Sequence, residues 1–441
     1  MDTLNKKESF WKREAYGAPL WMLAILIGII YVVTFTGKMQ DDDMLSIIAI
    51  MFSLGIVFNA IGDRIPIWKD YLGGGTMLAF IGAAAFEYFE ILPAKYSEAI
   101  TYFYDDYGFQ TVFISLLIVA AVLGVNRKQL IKAFGGYIPA ILGGLVLAGI
   151  FGIGAAAVCG IDVKAAISLY VLPIMGGGNG SGAVPLSEMW ESITGESKDA
   201  YYSQAIAILT LANNFAILAA VALNALGEKF PQLTGNGELL KNPEKYAMES
   251  DKEEKPKVGL YEAAGGLLLC CAMYAIARLL SKTIPPFGNN ITFHMYAYLI
   301  VLTGLLNVAG VIPAKLREGV KQCSNFLTKP LMCFCMVGIG IAFTDLGELA
   351  AALTWQTVVI SIAVVAGAAI GAGFGGTFFG FNFVESGITA GLCMANRGGS
   401  GDLQVLGAAK RMNLMSYAQI SSRIGGAIIL IIGSVLFSIM A

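Results

Sequence analysis

Histidine is nearly missing: the 441-residue chain has one, His294, just past a short predicted outer loop. That rules against a histidine proton relay, although it leaves carboxylate-based proton coupling open. Charge is scarce as well. Charged residues make up 14% of the chain, against about 25% in a soluble domain, so it cannot cover a water-facing surface of normal size. Cysteine supplies no extracellular framework. The seven residues at 159, 270, 271, 323, 333, 335 and 393 fall mostly inside apolar segments, where they are expected as small buried residues. No Walker lysine follows any glycine run, and Gly178-x-Gly180-x-x-Ala183 lacks the strand-turn-helix setting of a dinucleotide site. No cleavable signal is evident: residues 1–17 are polar, and the apolar run after them has no small-residue cleavage site. No enzyme activity, resident cofactor or nucleic-acid partner is expected.

Long apolar runs are what the chain has in excess, with 56% hydrophobic residues and 53 glycines. A helix of about 20 apolar residues crosses a bilayer core roughly 30 Å thick. Eleven such spans are predicted, near 18–37, 43–61, 72–92, 107–124, 136–158, 201–226, 259–281, 292–312, 327–345, 354–380 and 415–440. Two further stretches, 163–190 and 383–411, are apolar but broken by glycine clusters. The expected fold class is an all-α polytopic membrane protein of eleven transmembrane helices and two re-entrant hairpins.

The charge distribution supports that threading. With a cytoplasmic N-terminus, most lysines and arginines fall on the cytoplasmic side, from Lys6, Lys7, Lys12 and Arg13 to Lys410 and Arg411. Only Lys38, Lys95, Lys164, Lys198, Arg278 and Lys282 lie outside. The bias holds only if both glycine-broken stretches return to the side they left. Two basic residues remain, Arg397 and Arg423, both at membrane depth. A charge there costs at least ~2.5–3.5 kcal/mol on insertion scales and marks a functional site by default. The alternative is a structural ion pair with Asp402 or Glu385.

The two broken stretches resemble each other. IMGGGNGSGAVPL (174–186) aligns without gaps to CMANRGGSGDLQV (393–405), matching Met175, Gly180, Ser181 and Gly182 to Met394, Gly399, Ser400 and Gly401. Tyr202 and Gln204 in the next span have counterparts in Tyr417 and Gln419. After a first span within 1–42, the halves 43–226 and 259–441 each hold five spans, joined by a polar linker, 227–258. Five is odd, so the copies are inverted, as in secondary transporters.

Each hairpin reads as helix, glycine turn, helix. The first arm, Val163 to Met175, rises ~20 Å at 1.5 Å per residue, past mid-membrane but not across it. The second arms start with free N–H groups and a positive dipole end, with Pro185 tolerated near one start. Gly180, Ser181 and Gly182, and Gly399, Ser400 and Gly401, can therefore aim donors at an anion. Carbonyls closing the first arms, with Asn179, Asn396 and serine hydroxyls, suit a small hard cation such as Na⁺. Arg397 and Arg423 add two forked cations that match a di- or tricarboxylate. Asp402 reads as an acid in the first turn of a helix, or as a coupling-ion or arginine-orienting group. Glu188, Glu87 and Glu90 read as interfacial. The sequon Asn179-Gly180-Ser181 lies on a tip within the membrane, not on a surface loop.

The segments YVLPIMGGGNGSGAVPLSEMW (170–190), AGLCMANRGGSGDLQVL (390–406) and MNLMSYAQISSRIGG (412–426) are similar to the bacterial 2-hydroxycarboxylate transporter family. So are VNRKQLIKAFGGYIPAILGG (125–144) and AYYSQAIAILTLANNFAI (200–217). That family holds sodium–citrate symporters, malate carriers and citrate/malate carriers. The resemblance implies a homodimer in the cytoplasmic membrane, with a central scaffold and an elevator-like transport domain in each protomer. The C-terminus would lie outside. It implies substrate contacts at Asn179, Gly180, Arg397, Gly399, Ser400 and Arg423. Sodium ligands would be Gly177, Asn179 and Asn396 at one site, and Cys393, Ser400 and Ser422 at the other. The expected activity is Na⁺-coupled symport of citrate or malate. Proton coupling and precursor/product exchange stay open as alternatives. An anion channel is disfavoured because charge gathers at one locus rather than in rings.

Overall fold

The computed structural model describes residues 14–66, 68, 74–124, 127–241, 256–285 and 293–441, without the side chains of 127–136, Ser181, Glu348, Gly399, Ser400 and Ser416. The N-terminal lysines and residues 242–255 of the expected linker therefore lie outside the described residues. Helix dominates. The strands among the described residues are a two-residue ribbon, Glu14–Ala15 against Ala18–Pro19, turned by Tyr16 and Gly17 at φ 53° and 75°.

Among the described residues, six helices are long and apolar enough to cross a membrane: Met44–Gly62, Tyr137–Val158, Lys198–Lys229, Leu260–Thr283, Trp355–Phe378 and Tyr417–Met440. Two bent pairs, Ala94–Tyr104 with Phe109–Leu123 and Ala314–Thr328 with Met332–Phe343, raise the number to eight if each is one span. Leu20–Phe35 and Met295–Ala309 are shorter apolar helices. Two of these elements were not expected. Ala94–Tyr104 and Ala314–Thr328 lie mostly in stretches read as loops because their mean hydropathy is low. Both are amphipathic: Tyr96, Ser97, Ile100, Phe103 and Tyr104 line one buried face of the first.

The chain folds as two compact units. The smaller combines the first 110 residues with Phe326–Leu346. Met44–Gly62 begins under Asp43, whose carboxylate accepts from the Ser46 backbone and hydroxyl. Those bonds hold the Asp43 carboxyl below its usual range. Within this unit a Cβ on Gly55 would come 2.8 Å from the Cys333 carbonyl carbon, so the helices pass almost backbone to backbone. Tyr104 donates to the Cys335 carbonyl (2.9 Å), and its ring packs edge-on against Phe109 and Phe343. Cys270, Cys333, Cys335 and Cys393 are buried and Cys159 and Cys323 half-buried, but Cys271 is exposed, contrary to expectation.

The larger unit, Thr111–Asn325 with Gly347–Ala441, holds both hairpins. Its centre is the pairing of Tyr137–Val158 with Trp355–Phe378. A Cβ on Gly143 would stand 2.7 Å from the Gly371 carbonyl, and one on Gly144 3.1 Å from the Ala368 carbonyl. Only small residues permit that approach. The second hairpin leans on the same helix, with Gly387 against the Ala369 carbonyl.

Arg411, placed by sequence in a solvated loop, is 7% exposed. Its Nε donates to Glu385 Oε1 at 3.1 Å, and Glu385 is fully buried. Thr234 and the backbone N–H groups of Gly235 and Gly237 also donate to that carboxylate. The start of the expected linker is thus folded onto the base of the second hairpin, extended by the bridge between Leu240 and Phe381. Glu385 is therefore the partner of Arg411, not of Arg397 or Arg423.

Removing one member of such a buried pair typically costs ~3–5 kcal/mol. Arg411→Leu is expected to lower the thermal midpoint of the detergent-purified protein sharply. Adding Glu385→Gln should recover part of the loss; an Arg411→Leu midpoint equal to the parent's would show the pair to be inconsequential.

Candidate functional site

The first hairpin opens at Asp162, whose carboxylate accepts from the Lys164 N–H (2.8 Å). Its first arm runs through Val163–Ala165, a π-helical turn at Ala166–Val171 and Leu172–Met175. The tip follows, with Gly177 at φ 75° and Gly178 at φ 122°. Asn179–Ala183 forms a second π turn and Val184–Thr194 the return arm, closed by left-handed Gly195. The second hairpin repeats the plan: Phe383–Ser386, a π turn at Gly387–Leu392, a tip ending in Gly398 at φ 89°, and Gly399–Ala408. A further π turn, Ser421–Gly425, carries Ser422 and Arg423 in the last helix. Such turns widen the helix and often mark functional positions.

The two tips touch. A Cβ on Gly178 would fall 2.7 Å from the Arg397 carbonyl oxygen and 2.9 Å from Gly398 Cα. One on Gly398 would fall 3.2 Å from the Gly177 carbonyl. One on Gly177 would run into the Ser422 carbonyl. Both tips and the last helix therefore meet through bare backbone, and positive φ excludes other residues at the same three positions.

Oxygen atoms crowd around Ser422. Its Oγ lies 2.9 Å from the Cys393 carbonyl, 2.9 Å from each oxygen of Asp402 and 3.2 Å from the Ala418 carbonyl. One hydroxyl hydrogen faces four acceptors. Asn396 completes the group: its Nδ2 donates to Asp402 Oδ1 (3.0 Å), and its Oδ1 accepts from the Gly398 N–H (2.7 Å). Asp402 is 1% exposed. It heads the arm Gly399–Ala408, as the dipole reading expected, yet its side chain is held by Ser422 and Asn396. Asn396 thereby joins Cys393 and Ser422 around one carboxylate, although the resemblance groups it with Gly177 and Asn179.

Neither arginine forms an ion pair among the described residues. The Arg397 Nε is buried without a hydrogen-bond partner, while its Nη2 reaches Gln404 Oε1 at 3.5 Å. Arg423 extends its guanidinium to the end of Phe109–Leu123, where a Cβ on Gly124 would stand 2.7 Å from Nη1. Gly180 faces the same helix, 3.1 Å from Leu117 by the same measure. Asn179 Oδ1 accepts from the Tyr202 hydroxyl (2.8 Å). Gly399 starts the second return arm, and the Ser400 side chain lies outside the described atoms. Glu188 pairs with Lys198 at 3.5 Å. His294 caps its helix, accepting from the Tyr296 N–H.

Residues 15–435 match the 2-hydroxycarboxylate transporter family. The chain belongs to that family. It is 45% identical to a citrate/sodium symporter of Salmonella typhimurium over 97% of this chain and 95% of the other. It is 32% identical to a Na⁺-malate symporter of Bacillus subtilis over 98% and 94%. A malate transporter of Lactococcus lactis is also 32% identical, over 95% and 96%. This places the chain among transporters rather than enzymes.

Sequence reasoning missed Asn213 and Gln404, which hold Arg397, and the segment from Phe113 to Gly124, which faces Gly180 and Arg423. Neutral amides inside apolar helices give no pattern that separates them from buried structural ones. Tyr202 was noted for its place in the repeat, but its bond to Asn179 was not foreseen.

Gly178→Ala puts a Cβ into the opposing tip at a backbone angle open essentially to glycine alone. It is expected to abolish uptake in proteoliposomes and lower thermal stability, while Gly149→Ala, which meets nothing within 4 Å, leaves both unchanged.

Proposed function

We propose that this protein is a Na⁺-coupled symporter of a 2-hydroxycarboxylate, citrate or malate, across a bacterial cytoplasmic membrane. The observation that carries the reading is the excess of acceptors around Ser422. Four oxygens converge on a group with one hydrogen to give. A hard cation satisfies such a set, and Asp402 supplies its charge. The buried, unpartnered Arg397 Nε speaks for an anion beside it. The names of the relatives agree.

In this reading Arg397 and Arg423 grip the carboxylates, with the N–H groups at Gly180, Gly399 and Ser400 and the Asn179 amide completing the anion site. Na⁺ takes the Cys393 carbonyl, Ser422, Ser400 and Asp402, and a second takes Gly177, Asn179 and Asn396. Cation and anion share the two tips. Na⁺ bound beside Asp402 cancels a carboxylate that would repel the substrate, so each raises the other's affinity by the same factor. That reciprocity is the coupling.

The same reading gives the chain eleven spans, with the hairpins 163–190 and 383–411 re-entrant within inverted repeats 43–226 and 259–441. The N-terminal segment 1–42 would be cytoplasmic with its span, the linker 227–258 cytoplasmic, and the C-terminus outside. The protein would work as a homodimer whose transport domains move as elevators. The matched plan of the hairpins, each with a π turn in its first arm and a left-handed glycine at its tip, supports this arrangement.

Purified protein in liposomes should take up citrate or malate when an inward Na⁺ gradient is imposed. Uptake driven by a pH gradient alone, indifferent to Na⁺, would overturn the sodium assignment. Arg423→Ala is expected to weaken substrate affinity ~30- to several-thousand-fold, the usual cost of ~2–5 kcal/mol for truncating one partner of a desolvated charge pair. Ser422→Ala should shift the Na⁺ dependence of uptake more than the substrate KM.

A further inference from the structure

Arg397 is held from two directions, and both holders are neutral. Asn213 is fully buried in Lys198–Lys229. Its Oδ1 accepts from the Arg397 backbone N–H (3.2 Å), and its Nδ2 donates to Gln404 Oε1 (3.3 Å). Gln404 Oε1 in turn accepts from Arg397 Nη2 at 3.5 Å. Backbone, amide, amide and guanidinium close a ring between the tip of the second hairpin, its return arm and the facing helix. The arm passes close to Asn213: a Cβ on Gly401 would meet Asn213 Oδ1 at 2.8 Å, so a side chain there would push against the amide that holds Arg397.

A carboxylate at Gln404 would orient Arg397 more strongly, because charge-assisted bonds are roughly twice as strong as neutral ones. It would also cancel the charge. The surroundings avoid that. Lys198–Lys229 carries no charged residue between Asp199 and Glu228, and Met415–Ile420, also packed on the return arm, carries none. On the arm itself the one acid is Asp402, held by Ser422 and Asn396. The last helix adds Arg423.

We propose that Asn213 and Gln404 are positioning residues that aim Arg397 while leaving its positive charge uncompensated. Neutrality at position 404 is then a determinant of affinity for anionic substrate. The proposal rests on the reading of Arg397 as a substrate contact and adds what keeps that contact cationic.

The test compares uptake of citrate and malate in proteoliposomes at saturating Na⁺ across pH for the parent protein, Arg397→Ala, Gln404→Ala, Gln404→Glu and Asn213→Ala. Gln404→Glu is expected to raise KM roughly tenfold or more at neutral pH, since the added carboxylate pairs with the guanidinium. The ratio of its KM to the parent's at the same pH should fall toward one as the medium is acidified and the introduced carboxyl takes up a proton. That comparison removes the substrate's own protonation. Gln404→Ala and Asn213→Ala should raise KM only a few-fold, with no added pH dependence, and with near-normal maximal rates. A parent-like KM in Gln404→Glu while Arg397→Ala is impaired overturns the proposal alone. So does a Gln404→Glu defect equal to that of Gln404→Ala at every pH. A parent-like KM in Arg397→Ala overturns the underlying reading and the proposal with it.

Discussion

Gly178 and Gly398 bring two hairpin tips into contact through their backbones, each at a φ that side chains seldom tolerate. Gly177 extends the contact to the carbonyl of Ser422. These three approaches fix how the two tips and the last helix stand against one another. They bring the Cys393 carbonyl within reach of the Ser422 hydroxyl and put Asp402 beside both. A cluster of carbonyls and arginines assembled from segments some 200 residues apart needs such a fixed point, because flexible side chains alone would let the groups drift by more than a ligand tolerates.

Within that frame, opposite charges are kept from neutralising one another. Asp402 is bonded by a hydroxyl and an amide; the Arg397 guanidinium donates to the Gln404 amide, and its backbone N–H to Asn213. Elsewhere in the same unit the chain does the opposite. Glu385 and Arg411 pair directly, surrounded by further donors, and that pair ties the segment after Lys198–Lys229 to the second hairpin. The contrast is one of chemistry. A closed ion pair gives structure but nothing for a ligand to do, whereas charges bonded to neutral partners retain a field that ions of opposite sign can answer.

Much of this was legible in the sequence. Glycine clusters inside apolar runs announced the two tips, and Arg397 and Arg423 stood out because every other basic residue had a place in a loop. Cys393 and Ser422 came from the family resemblance, and the geometry puts them together. The illegible parts have physical reasons. Asn213 and Gln404 are short polar residues in apolar helices, indistinguishable from buried amides of no consequence. Arg411 sits in a polar stretch, so hydropathy assigned it to solvent; only the fold reveals that Glu385, 26 positions earlier, lies against it. Asp402 was visible as a helix-start acid, but the hydroxyl that meets it comes from 20 residues further on. The π turns leave no trace in hydrophobic periodicity, since one extra residue per turn falls within its scatter.

The stitched segment after Lys198–Lys229 has a mechanical consequence. Leu239 accepts from the Asn382 N–H, Lys241 donates to the Gly380 carbonyl, and Asn413 donates to the Gly237 carbonyl. Three stitches over so few residues turn that part of the connection into a rigid extension of the hairpin's foot. It cannot act as slack between the two halves of the chain.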